Sequence, residues 1–112
     1  LPDPKKIGNS GSFFKNPVVS SQVFTALKKQ YPEIPNHPAG SGKVKIPAAW
    51  LIDRLGFKGY RKNDAGVHRK QALVLVNYGN ASGAEILELA QIIQAEVQKT
   101  FDMGLEYEVN IL

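Results

Sequence analysis

Residues 72–112 carry the pattern that most limits the fold. Ala72-Leu-Val-Leu-Val76 is an uninterrupted apolar run of strand length, which predicts a strand in the middle of a sheet. After the turn Tyr78-Gly79-Asn80-Ala81, Ser82-x-x-Glu85 forms a capping box, in which serine and glutamate satisfy each other's backbone amides. Ile86, Leu89, Ala90, Ile93, Val97 and Phe101 then fall on one helical face, and Gly104 stands where that helix should close. Leu105, Tyr107, Val109 and Ile111 alternate with Glu106, Glu108 and Asn110, the period of a half-buried strand.

The rest of the chain supplies partners for this unit. The opening through Gly8-Asn9-Ser10-Gly11 is rich in Pro, Gly and Asn and predicts irregular backbone. Ser12-Phe13-Phe14 predicts a short strand ended by Asn16-Pro17. Ser20-Ser21 offers an N-cap to a helix bearing Val23, Phe24, Leu27 and Tyr31, which Pro32 stops. Residues 32–42 hold Pro32, Pro35, Pro38, Gly40 and Gly42 and read as a loop, either ordered or a mobile flap. Lys43-Val44-Lys45-Ile46 alternates as an edge strand would, with lysines discouraging edge pairing. Pro47 opens a short helix through Trp50, Leu51, Ile52 and Leu55, capped by Gly56. Phe57 to Asp64 reads as a basic loop. The expectation is a single compact α+β domain over residues 1–112, with a mixed or antiparallel sheet covered by helices.

Composition excludes several function classes. A chain of 112 residues holds one ordinary domain and not two. No apolar run approaches the ~20 residues of a membrane-spanning helix. The start, Leu1-Pro-Asp-Pro-Lys-Lys, lacks the apolar segment of a signal peptide. A first residue of Leu rather than Met suggests a fragment or a processed product. With no cysteine, disulfide scaffolds, thiolate metal sites and thiol nucleophiles drop out. Two histidines without clustered carboxylates argue against a zinc site. Cytoplasm is the default compartment and a monomer the default state.

The net charge of +4 conceals an asymmetry. Residues 1–70 carry 13 Lys and Arg against 4 Asp and Glu, whereas residues 71–112 carry 1 against 6. A basic half points either to an anionic ligand or to a lysine-rich solvated surface.

Individual residues leave alternatives open. Ser12, after Gly11, is either a turn or capping residue or a hydroxyl that moves a proton. No G-x-S-x-G motif surrounds Ser10 or Ser12, so nucleophile-elbow hydrolysis is unsupported. Glu106 and Glu108, two apart on a strand, share one face, which is either solvated or lines a pocket as a general acid or electrostatic group. Lys15-Asn16, Lys58 and Arg61-Lys62 are loop-borne donors suited to phosphates. Gly8-x-x-Gly11 lacks the strand-to-helix context of a phosphate cradle. His68 reads as a structural hydrogen-bonding residue, and Trp50 as core rather than a stacking platform.

Taken as a string, Ile7-Gly-Asn-Ser-Gly-Ser-Phe-Phe-Lys-Asn-Pro-Val-Val19 resembles the signature of the UDP-N-acetylenolpyruvoylglucosamine reductase family. The resemblance continues through Lys45-Ile-Pro-Ala-Ala-Trp-Leu-Ile-Asp53, Gly56-Phe-Lys-Gly59, Val67-His-Arg-Lys-Gln-Ala-Leu-Val-Leu-Val-Asn77 and Leu105-Glu-Tyr-Glu-Val109. It covers nearly the whole chain and is to the C-terminal, substrate-binding domain.

In that family NADPH reduces FAD, and the reduced flavin gives a hydride to the methylene carbon of the enolpyruvyl ether. The resemblance implies Ser12 as proton donor to the enolate-like carbon, and Glu108 as the group that stabilises or protonates the intermediate. Glu106 stays structural. Asn16 and Lys58 are carried to the diphosphate of UDP-N-acetylglucosamine enolpyruvate, and Gln71 towards its nucleotide end. His37 stands where several relatives have a Tyr, positioned to stack on base or sugar, and Asn110 where some have an Arg. The resemblance also implies an FAD-binding domain upstream of Leu1 in the same chain, so these 112 residues alone are expected not to turn over.

A rival reading from another class is a basic nucleic-acid-binding module. It would use Lys5, Lys6, Lys15, Lys43 and Lys45 on phosphates, with Phe13, Phe14 and Tyr60 as stacking groups. The lysines are scattered over loops without a nucleic-acid-binding motif, so neither nucleic acid nor membrane is the expected partner.

Overall fold

Nine short elements follow one another in the computed structural model, which describes residues 13–108. They are β1 (Val18–Ser20), α1 (Ser21–Gln30), β2 (His37–Pro38), β3 (Lys43–Lys45), α2 (Ala48–Arg54), β4 (Arg61–Lys62), β5 (Ala65–Val67), β6 (Leu75–Asn77) and α3 (Gly83–Phe101). The strands make two antiparallel three-stranded sheets, ordered β1-β3-β2 and β4-β5-β6. The α+β class stands, with two small sheets where one was expected.

α3 is the spine, and it follows the sequence pattern closely. Ser82 Oγ accepts from Glu85 N while Glu85 reaches back to Ser82 N, which closes the capping box. The six apolar residues assigned to its inner face are the ones buried. They pack against α2, β5 and β6. The helix ends on Asp102, which takes a φ of 54°. Asp, with its short polar side chain, tolerates that left-handed conformation. Gly104, expected to close the helix, lies beyond the stop.

α1 starts at the predicted cap, with Ser20 Oγ accepting from Val23 N, and ends at Tyr31 before Pro32. It packs on β1 and β3. In that sheet, register partners Val19, Val44 and Pro38 share one face, on which Val19 and Val44 pack against the core. Val18, Lys45 and His37 share the other face, which is exposed. β3 is therefore central, not an edge strand. Its lysines are tolerated because its outer face is solvated, not because a side is unpaired. Residues 32–42, read as a loop, in fact contribute β2 and form a hairpin with β3.

The apolar run 72–76 also departs from expectation. Ala72 and Leu73 form a turn, and β6 begins only at Leu75, at the edge of its sheet. The run is nonetheless largely buried, with α3 packed on β6 and Phe13 N bonded to Leu73 O at 2.8 Å. The segment read as a basic loop holds β4 and the two-residue turn of the β4–β5 hairpin, which places Asn63 at a φ of 55°. The expected strand at Ser12–Phe14 and the one at Leu105–Ile111 reduce, among the described residues, to one bridge between Phe14 and Tyr107.

Candidate functional site

Two backbone segments meet at the edge of the core and frame an open groove of about 820 Å³. Phe13 and Phe14 are each 1% exposed and anchor the first segment. Lys15 N donates to Glu106 O and Glu108 N donates to Phe13 O, both at 2.8 Å. Tyr107 stacks edge-on against Phe13, with ring centroids 5.4 Å apart. The groove is lined by Lys15, Asn16 and Lys45 on the basic side and by Glu106 and Glu108 on the acidic side. Glu106 and Glu108 do share a groove, as their spacing predicts, and both are exposed.

Asn16 has a second task. Pro47, the N-cap of α2, makes no side-chain cap bond, and Asn16 Oδ1 takes the amide of Ala48 at 2.9 Å instead. With the oxygen engaged by a donor, the amide NH₂ is the end left to serve the groove.

A second groove, of about 420 Å³, lies along α2 and is lined by Trp50, Asp53, Lys58, Lys70 and Gln71 together with the turn at 72–74. Lys58 Nζ lies 3.2 Å from Asp53 Oδ2. Lys58 and Gln71 thus share this groove, while Asn16 and Glu108 share the first. α2 links them, because Asn16 caps its start and Trp50 and Asp53 on it line the second groove. Trp50 is half-buried against Tyr31 and Phe101 and also forms groove wall. His37 lines neither groove. It is exposed on β2 opposite Lys45. Ser12 and Asn110 lie outside the described residues.

Lys70 and Asp53 are groove residues that sequence reasoning missed, and Lys45 is one it named only for the nucleic-acid reading. Lys45 is brought there by the pairing of β3 with β1, and that pairing has no signature in local periodicity.

Arg61 and Lys62 line neither groove and, like Lys58, are engaged in ion pairs. Arg61 bonds Asp64 Oδ1 at 2.9 Å and Asn63 O, and lies 4.0 Å over the Tyr78 ring. Asp64 also accepts from Asn80 N, and these bonds, Arg61's first, hold its carboxyl below the usual range. Lys62 pairs with Glu88 on α3, which raises its ammonium above the usual lysine value. His68 is structural as expected, its Nδ1 accepting from Lys70 N at 3.0 Å.

The nucleic-acid reading loses two of its three stacking groups, because Phe13 and Phe14 are buried, while Tyr60 stays exposed. Among the described residues no cluster of three or more metal-ligating side chains occurs, and no helix is long and apolar enough to cross a membrane.

Comparison with known proteins gives one answer. The profile of the UDP-N-acetylenolpyruvoylglucosamine reductase C-terminal domain matches residues 3–112. The reductase of that name from Pseudomonas syringae pv. tomato is 51% identical over 111 residues, 99% of this chain and 33% of the relative. Those from Flavobacterium johnsoniae and Chromobacterium violaceum are 53% and 54% identical, each over 100% of this chain and 33% of the relative. The chain spans about a third of the length of the curated relatives it matches. The crystal structure of UDP-N-acetylenolpyruvylglucosamine reductase from Thermus caldophilus superposes with a TM-score of 0.50 at 29% identity, over 88% of this chain and 26% of that one.

Proposed function

The chain belongs to the UDP-N-acetylenolpyruvoylglucosamine reductase family as its C-terminal domain, and from that premise we propose that the whole protein reduces UDP-N-acetylglucosamine enolpyruvate to UDP-N-acetylmuramate with NADPH. The product serves peptidoglycan synthesis in the cytoplasm, and the protein acts as a monomer. This domain supplies substrate contacts and the proton. FAD is held by the upstream domain of the same chain.

The described residues do not themselves fit a flavin dinucleotide. A helix N-terminus is one ready-made diphosphate cradle, and each of the three here already has one amide taken by a side chain, Ser20, Asn16 or Ser82. In this reading the reducing equivalent comes from the upstream domain, and these residues deliver the proton and stabilise charge.

Reduction of the enolpyruvyl ether adds hydride at the methylene carbon and leaves an electron pair on the carbon bearing the carboxylate. The Ser12 hydroxyl gives its proton to that carbon, while Glu108 acts as an acid that donates a hydrogen bond or a proton to the intermediate. The observation that supports this pairing is the bond from Glu108 N to the carbonyl of Phe13, the residue next to Ser12 in the chain. Lys58 and the Asn16 NH₂ meet the diphosphate and Gln71 the nucleotide end, while His37, outside both grooves, is given no contact. The lysines beside both grooves favour capture of so anionic a substrate.

The test is NADPH oxidation by the full-length protein. Turnover that depends on UDP-N-acetylglucosamine enolpyruvate supports the reading. A flavin-loaded protein that oxidises no NADPH when the enolpyruvate is added contradicts it.

A further inference from the structure

The Glu106–Glu108 segment has few holds of its own. Among the described residues it lies outside any strand ladder, joined to residues 13–15 by a single bridge made of two backbone bonds. Its remaining hydrogen bonds come from one side chain on α3. Gln94 Nε2 donates to Leu105 O at 2.8 Å, and Gln94 Oε1 accepts from the Tyr107 hydroxyl at 3.0 Å.

We infer that Gln94 is a positioning residue for Glu108, acting through the Leu105 carbonyl and Tyr107. The inference rests on the role given to Glu108 above.

The geometry fixes the direction of every bond. A backbone carbonyl only accepts, so the Gln94 NH₂ must face Leu105 and its oxygen must face Tyr107, whose hydroxyl then donates. Burial raises the Tyr107 hydroxyl above the usual tyrosine value, which keeps that proton in place. The Tyr107 ring in turn stacks on Phe13 and Phe14, at 5.4 and 5.9 Å between centroids. One amide therefore grips the chain on both sides of Glu106, directly before Glu108, and reaches through an aromatic ring to the segment that follows Ser12. α3 is the longest helix, 19 residues, with its inner face in the core. Misplacing a reacting group by about 1 Å can cost a factor near 10² in rate. An exposed segment held by so few contacts needs such a brace if its carboxylate is to act at a defined place.

The test uses the full-length protein with four variants: Gln94→Leu, Tyr107→Phe, Glu108→Gln, and Gln94→Leu combined with Glu108→Gln. Gln94→Leu should lower kcat by about 10–100-fold with KM for the enolpyruvyl substrate nearly unchanged. Tyr107→Phe, which loses one of the two bonds, should fall between it and wild type. In the Glu108→Gln background, Gln94→Leu should add no further loss, because its effect runs through that carboxylate. Hydrogen exchange should show faster exchange at the Glu108 and Lys15 amides in Gln94→Leu, with the core of α3 unchanged.

Unchanged kcat, a rise in KM alone, unchanged amide exchange, or the full loss persisting in the Glu108→Gln background would each overturn the inference while leaving the reductase reading intact. A Glu108→Gln protein with wild-type turnover would remove Glu108 from the chemistry, and the inference with it. A wild-type protein without substrate-dependent turnover would overturn both.

Discussion

Asn16 Oδ1 caps the start of α2 at Ala48 N, 2.9 Å away and 32 residues along the chain. A side chain proposed to meet the diphosphate is thus also a helix cap, and the two tasks use opposite ends of one amide. Asn16→Ala should cost about 1 kcal/mol of stability, the usual value of a lost cap, and should also weaken binding of UDP-sugars. Asn16→Asp keeps an acceptor at the helix start but replaces the NH₂ donor with negative charge. It should hold stability and still lose affinity. Urea denaturation beside calorimetric titration separates the two effects, and equal stability loss in both variants would contradict the cap.

Gly66 lies under a ring. A Cβ there would come within 2.7 Å of Tyr78 Cε2 and 3.1 Å of the Tyr60 carbonyl oxygen. Gly66→Ala should destabilise by about 1–3 kcal/mol, as overpacking does. Adding Tyr78→Ala should relieve part of that, making the pair non-additive. Thermal denaturation of the double-mutant cycle checks it.

Asp64 should mark the acid limit of the β4–β5 hairpin. Its carboxyl is lowered in the fold by bonds from Arg61 and Asn80. A depressed folded value means the contribution is fully present above the unfolded Asp value, about 3.9, and is lost as pH falls through the lower folded value. The stability advantage of wild type over Asp64→Asn should therefore hold at neutral pH and vanish only in strong acid. Denaturation curves across that range would refute this if the advantage were independent of pH.

Lys58 pairs with Asp53 at the surface, with both side chains about half exposed. Such pairs contribute about 0–1 kcal/mol, so Lys58→Ala should change stability little. Loss of a charged contact to phosphate should weaken UDP-sugar binding by roughly 10–100-fold. Calorimetry on the full-length protein reads this directly, and unchanged affinity would remove Lys58 from the site.

What the sequence made legible divides by the range of the interactions. α1 and α3 are readable because caps and a 3.6-residue period are local. The inner face of α3 is predicted residue for residue. β1, β2, β4 and β5 have two or three residues each, too few to show a period, and exist because distant partners such as Lys45 with His37 and Val18 pair them. The run at 72–76 misleads because burial by α3 and by the Phe13 segment demands the same residues as burial within a sheet. Glu106 and Glu108 on one groove follow from spacing. The division of Asn16 and Lys58 between two grooves depends on how α2 is placed, and Gln94 on where the chain returns after Asp102.

If this domain delivers the proton, loss of the Ser12 hydroxyl must slow the chemical step. Steady-state NADPH oxidation by the full-length protein, wild type against Ser12→Ala, tests it most directly. Ser12→Ala should lower kcat by about 10²–10⁴, the range for a positioned general acid, with KM for the enolpyruvyl substrate little changed. Wild-type kcat in Ser12→Ala would contradict it.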